Sequence, residues 1–339
     1  MKQTHARQRA KDAAKGDMMK VLVMVPFKEH HMQQIREAAG PDATVTQKLF
    51  KLPMFKELQE ALRTYDVVIG EPAPRLLAAD DVTVKWVQST WAGVDAYTRS
   101  PYGFPEGMML TNVAGDAYGH TISQFVVGQI LAITQNTGLY AKYQSSMTWN
   151  DMGPVMSLEG ANALIFGAGD LGRHVARRLS GFDLASITGV CRDTSKPREG
   201  FDRLVTLPRA ELLLKDTDIV VGCIPSTLET TRYFNARRLR MIKEGGVLVN
   251  VGRGDFVDCQ ALVDVLNEDH LRGAALDVTD PEPLPLKHQL WRNKRCLITP
   301  HAAGGAFGKS DKTEDNIAAV CCDNLRRYIA GEELTHRVY

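Results

Sequence analysis

Ala163-Leu164-Ile165-Phe166-Gly167-Ala168-Gly169-Asp170-Leu171-Gly172 is the stretch on which the fold turns. A short apolar run leads into G-x-G-x-x-G. Leu171, Val175, Ala176 and Leu179 then recur at the 3.6-residue period of a helix with one buried face. Strand, glycine turn and helix together form the setting in which this pattern cradles a dinucleotide. Gly167 permits the tight turn, Gly169 lets backbone approach a pyrophosphate, and Gly172 allows close helix–sheet contact. Asp170 and Leu171 open the helix whose N-terminus faces the phosphates, with the Asp170 side chain expected to point outward.

The same alternation runs along the chain. Downstream, runs at Ser186 to Cys191, Asp218 to Ile224, Val247 to Val251, Ala274 to Val278 and Cys296 to Thr299 bring the count to six strands. Helices lie between them, the pattern of a doubly wound parallel sheet. Upstream, Val21 to Val25, Asp66 to Gly70, Val84 to Gln88 and Met109 to Thr111 make a first α/β block. A long helical pattern from about Gly119 to Tyr140 joins the two, and a last helix near Asn316 to Ala330 follows the second sheet. The expected fold is α/β with two Rossmann-like doubly wound domains. A cofactor domain at 120–309 is inserted into a discontinuous, flavodoxin-like substrate domain at 20–119 and 310–339, and 1–19 form a disordered tail.

Length agrees, since 339 residues exceed the roughly 100–200 of one ordinary domain. The 41 Lys+Arg against 40 Asp+Glu leave a charge of +1, without the cationic field of a nucleic-acid binder. A hydrophobic fraction of 44% excludes disorder as the main theme. No run approaches the roughly 18 apolar residues of a membrane span, and Phe125 to Ile133 is broken by Gln129. The six cysteines include no C-x-x-C pair and read as small buried hydrophobes in a reducing cytosol. The first 19 residues carry five Lys/Arg and two Asp but no apolar core for a signal peptide. A cytoplasmic protein without nucleic-acid or membrane partners is expected.

Two places in the second half carry chemistry. At the tip of the strand after the glycine turn, an acid bonds a free ribose 2′-hydroxyl and repels a 2′-phosphate. Here the strand ends Val190-Cys191-Arg192-Asp193, with Lys196 and Arg198 close behind, a positive excess that suits NADP. Asp193 serves NAD instead if the strand runs two residues further. Arg253, Glu282 and His301 follow late strands, at the carboxyl ends where open α/β sheets place ligands.

In this order behind the glycine turn, these residues resemble the D-isomer-specific 2-hydroxyacid dehydrogenases, from about Lys20 to the C-terminus. The resemblance also rests on Ile224-Pro225-Ser226-Thr227, Asn250 to Asp258, Ala275 to Val278 and Thr299-Pro300-His301. In the first block it rests on Ser89 to Asp95 and Leu110-Thr111-Asn112-Val113. It implies that His301 is the acid/base, Glu282 its partner carboxylate and Arg253 the substrate clamp. The chemistry agrees. Reducing a 2-oxo acid needs a proton at the carbonyl oxygen, which histidine supplies near neutrality. A forked guanidinium can hold the carboxylate and polarise the carbonyl together.

The resemblance further implies that Trp91, Ala92 and Gly93 meet the substrate, the last two through backbone amides, in a cleft that closes between domains. It assigns Asp277 to the nicotinamide carboxamide, and Ile224, Pro225, Thr227, Val251, Gly252 and Gly304 to the cofactor's surroundings. A homodimer with Tyr140 to Pro154 in the contact is implied too. The Arg192 strand tip and Trp91 look more like the NADPH-preferring glyoxylate/hydroxypyruvate reductase branch than the NAD-linked ones.

Three positions depart from the family pattern. Gly252 stands where alanine is common, Ala302 where a bulkier residue often follows the histidine, and Gln124 where Glu is more usual. Rival readings are a relative acting on another small anion such as phosphite, and a dinucleotide-sensing corepressor. Glu282 argues against formate, and the chain shows no long recruitment tail. No metal is expected: on a helix His30 and His31 point about 100° apart, and nothing in the sequence is spaced to complete a site.

Overall fold

The computed structural model describes residues 18–50, 54–114 and 116–339, so the expectation for a tail at 1–19 falls almost wholly outside the described residues. The chain divides into two compact units, Met1–Ala117 with Ala306–Tyr339, and Tyr118–Gly305.

The first unit is built on β1 (Met19–Val23), β2 (Ala43–Gln47), β3 (Val67–Ile69), β4 (Trp86–Gln88) and β5 (Met109–Thr111). All pair in parallel, in the order β2-β1-β3-β4-β5. Leu22, Val68, Val87 and Leu110 stack fully buried across its centre. The strand β2 escapes the sequence reading because, half exposed at the edge, it needs no apolar run. The helix Asp311–Ala330 starts five residues before its expected place, because Ser310 caps it by accepting from the Thr313 amide. It lies against this sheet. Buried Asn324 donates to Gln88 Oε1 at 2.8 Å, and Tyr328 stacks on Trp86.

The second unit holds β6 (Asn162–Phe166), β7 (Ser186–Val190), β8 (Arg203–Val205), β9 (Ile219–Gly222), β10 (Val247–Asn250), β11 (Gly273–Leu276) and β12 (Cys296–Ile298). Seven parallel strands replace the expected six, in the order β12-β11-β10-β9-β6-β7-β8. The short edge strand β8 accounts for the difference. Phe166, Val220 and Leu248 face one core cluster while Ile165, Val221 and Val249 face another. Both faces are thus covered, which is why these strands read as continuous apolar runs. The strand order reverses between β6 and β9, the switch point at whose carboxyl ends open α/β sheets bind ligands.

The helical pattern from Gly119 to Tyr140 is not one helix but two, Asp116–Thr134 and Thr137–Ser145, parted at Asn136 with φ 57°. Arg272 ends the first: its guanidinium donates to the carbonyls of Ile133 (3.4 Å), Thr134 (3.1 Å) and Pro154 (2.5 Å). A cation on the last carbonyls suits a helix C-terminus, and this one comes from far along the chain. The second helix buries no residue, and Met147 and Trp149 beyond it are fully exposed. Among the described residues no helix is long and apolar enough to cross a membrane.

Candidate active site

The glycine turn between β6 and the helix Asp170–Leu179 is a close fit of backbone on backbone. Gly167 has φ +102°, and a Cβ there would stand 2.5 Å from the Cys223 carbonyl oxygen. At Gly172 it would stand 1.8 Å from the Gly167 oxygen. At Gly169, by contrast, a Cβ would meet nothing within 4 Å. Packing does not demand that glycine, so its bare backbone leaves room for a group outside the protein, as a pyrophosphate requires. Asp170 pairs with Arg173 on the helix surface, and Arg198 braces the turn by donating to the Ala168 carbonyl at 2.8 Å.

At the next strand tip, β7 stops at Val190 and does not continue toward Asp193. The Asp193 carboxylate accepts from the Ser195 amide (2.9 Å) and hydroxyl (2.6 Å), which hold it below the usual carboxylate range. Arg192 and Lys196 are exposed, with no carboxylate partner among the described residues.

The turn after β10 is shaped by Asn250, which is fully buried. Its side-chain amide donates to the Arg253 carbonyl at 2.8 Å, and its oxygen accepts from the Gly252 amide at 3.1 Å. A Cβ on Gly254 would lie 1.9 Å from the Thr279 oxygen, so this turn presses directly on the segment after β11. A Cβ on Gly252 would lie 2.8 Å from the Ile224 oxygen, so the packing of this turn calls for glycine. Asp255 binds the hydroxyls of Ser226 and Thr231, fastening the loop that carries Ile224, Pro225 and Thr227.

His301 follows β12 with φ 50°, a left-handed conformation uncommon outside glycine. Asp277, at the end of β11 and 3% exposed, organises this turn. Its carboxylate accepts from Thr299 Oγ1 (2.6 Å), the Ala302 amide (2.8 Å) and the Ala303 amide (3.0 Å). His301 Nδ1 meets Glu282 Oε1 at 2.7 Å, both side chains about half exposed. The structure therefore brings Glu282 and His301 into contact and sets the Arg253 turn against the end of β11. Sequence reading counted Asn250 only as the start of a family segment, with no role of its own, and gave Asp277 only a ligand to hold. The signal was a polar residue closing an apolar run.

In the first unit Trp91 is half exposed, and its carbonyl accepts from the Val113 amide at 3.1 Å. The Ala92 carbonyl accepts from Asn112 Nδ2 at 2.6 Å. The amides of Ala92 and Gly93 have no acceptor among the described residues.

Asp315 stands where the sequence offered His30 and His31 no carboxylate, 2.9 Å from His31 Nε2 and 3.7 Å from His30 Nε2. The buried Nδ1 of His31 has no hydrogen-bond partner among the described residues. A proton on Nε2 shared with Asp315 satisfies this pair, whereas a metal there would leave an unsatisfied Nδ1–H in the core.

Residues 127–303 match the NAD binding domain of the D-isomer specific 2-hydroxyacid dehydrogenases. The chain is 32% identical over 244 residues, 68% of either protein, to a glyoxylate reductase of Thermofilum pendens. Among solved structures it resembles a D-isomer specific 2-hydroxyacid dehydrogenase family protein from Aeromonas salmonicida, with TM-score 0.82, 29% identity and coverage of 95% of this chain and 99% of that one. It also resembles a D-isomer specific 2-hydroxyacid dehydrogenase from Xanthobacter autotrophicus, solved with NADPH and MES, with TM-score 0.76, 25% identity and coverage of 95% and 98%.

Proposed function

This chain belongs to the D-isomer specific 2-hydroxyacid dehydrogenases, which are NAD(P)-dependent enzymes, and from that premise we propose that it reduces small 2-oxo acids of the glyoxylate and hydroxypyruvate kind with NADPH. The observation that carries the reading is the 2.7 Å contact of His301 Nδ1 with Glu282 Oε1 on a turn organised by Asp277. With Nδ1 engaged by Glu282, which orients the ring, Nε2 remains to give its proton to the carbonyl oxygen. Arg253 holds the substrate carboxylate and polarises the carbonyl. The amides of Ala92 and Gly93, without an acceptor among the described residues, are suited to bind a carboxylate. A bound nicotinamide supplies the hydride.

The turn Gly167 to Gly172, with Asp170 and Leu171 opening the helix, receives the pyrophosphate. Ile224, Pro225, Thr227, Val251, Gly252 and Gly304 surround the rest of the cofactor, and Asp277 keeps lone-pair capacity for the carboxamide. Arg192 and Lys196 take the 2′-phosphate. The end of β7 at Val190 and the engagement of Asp193 with Ser195 support NADP over NAD. Met147 and Trp149, exposed at 96% and 105%, support a homodimer through the segment Tyr140 to Pro154.

A panel of 2-oxo acids assayed with NADH and NADPH in parallel tests substrate and cofactor together. His301→Gln should lower turnover by about 10²–10⁴-fold while NADPH still quenches protein fluorescence. Near-normal turnover in that variant would overturn the mechanism. Phosphite-dependent formation of NADPH without 2-hydroxy acid turnover would replace the substrate class.

A further inference from the structure

Glu71 follows β3 in the sequence Gly70-Glu71-Pro72. Gly70, with φ +136° and no room for a Cβ beside Met24, turns the chain there. The Glu71 Oε1 atom accepts three hydrogen bonds from the loop after β4: the Thr90 amide at 2.7 Å, Thr90 Oγ1 at 2.9 Å and Ser89 Oγ at 3.1 Å. Ser89 Oγ in turn accepts from the Trp91 amide at 3.1 Å. One carboxylate oxygen thus fixes two consecutive amides, one directly and one through a buried hydroxyl.

The segment after β5 holds the loop from its other side. The Val113 amide bonds the Trp91 carbonyl, and Asn112 Nδ2 bonds the Ala92 carbonyl. With these groups turned inward, the amides of Ala92 and Gly93 are the first in the loop left without an acceptor among the described residues. Burial pushes the Glu71 carboxyl above its ordinary range, and the bonds from Thr90 and Ser89 draw it back. Polar groups withdrawn from water are retained when their hydrogen bonds are made, and the donors to this one among the described residues come from a single loop.

We propose that Glu71 is a positioning residue for substrate binding: it sets the loop Ser89 to Gly93 so that the amides of Ala92 and Gly93 converge on one carboxylate. The proposal rests on the reduction of 2-oxo acids proposed above. It assigns Glu71 no contact with substrate.

Glu71→Ala and Glu71→Gln in the full chain test it. In Glu71→Ala the KM for the 2-oxo acid should rise about tenfold or more, the scale of one lost charge-assisted hydrogen bond, with a smaller fall in kcat and NADPH affinity within about twofold. Glu71→Gln, whose oxygen can still accept from Thr90, should recover most of the KM. Amide hydrogen exchange at Thr90 and Trp91 should quicken in Glu71→Ala and return toward wild type in Glu71→Gln. An unchanged KM, an equal loss of NADPH affinity, or unchanged exchange at both amides would overturn the proposal. Should the wild-type chain reduce no 2-oxo acid, the functional reading falls, while the exchange rates still decide whether Glu71 holds the loop.

Discussion

The backbone amide of His301 donates to the carbonyl of Asp277 at 2.8 Å, and the Asp277 carboxylate takes the amides of the next two residues. One buried residue at the end of β11 therefore holds the turn that presents the ring. A non-glycine residue at positive φ costs on the order of 1–3 kcal/mol and persists only where its surroundings over-determine it. For His301, Asp277 supplies much of that determination.

Asp277→Asn keeps the volume but can accept through one oxygen only. At least one buried amide then loses its partner, a loss of about 1–3 kcal/mol. Thermal unfolding should shift downward and turnover should fall more than about tenfold, since the histidine is displaced along with its turn. Wild-type turnover with unchanged unfolding would contradict this account.

The double variant Arg192→Ser, Lys196→Ser should raise the KM for NADPH by about 10–100-fold and leave that for NADH nearly unchanged, because only the 2′-phosphate loses its cations. Raising the salt concentration should weaken NADPH binding in the wild type more than in the variant. Equal losses with both cofactors would show that this strand tip does not meet the phosphate.

Trp149→Ser combined with Met147→Ser removes the largest exposed apolar side chains beyond the helix Thr137–Ser145. Light scattering should find a dimer in the wild type and a monomer, or a weakened dimer, in the variant. A wild-type monomer at micromolar concentration would sink the assignment.

The hydrogen bond from His31 holds the Asp315 carboxyl below its usual range. For an acid whose folded pKa is depressed, the added stability is complete above the unfolded value near ~3.9 and vanishes as pH falls through the lower folded one. Asp315 is about half exposed, so Asp315→Asn should cost less than about 1 kcal/mol at neutrality. Urea unfolding at pH 7 and below pH 3 checks this. The gap between wild type and variant should close on acidification, and a constant gap would refute the linkage.

Much of this was legible in the sequence, for a definite reason. A parallel sheet covered on both faces demands unbroken apolar runs, and a glycine turn between strand and helix has few other uses. The edge strands β2 and β8 lack that demand and left no trace. The break at Asn136 is set by Arg272, more than a hundred residues away, and no local pattern carries it. Arg253, Glu282 and His301 stood out because each follows a strand end. Asn250, Asp277 and Glu71 stand at strand ends too, but only their bonding partners reveal that they serve neighbouring turns. Asp315 is invisible beside His31 for the same reason.

The contacts of Gly254 with Thr279 and of Gly252 with Ile224 have a consequence for how such a protein can change. Around the Arg253 turn, main chain is fitted against main chain, so side-chain exchange there has almost nothing to vary and much to break. The loop that carries the half-exposed indole of Trp91 is different: its amides are held from behind, so that side chain can be exchanged without disturbing main chain packed on main chain.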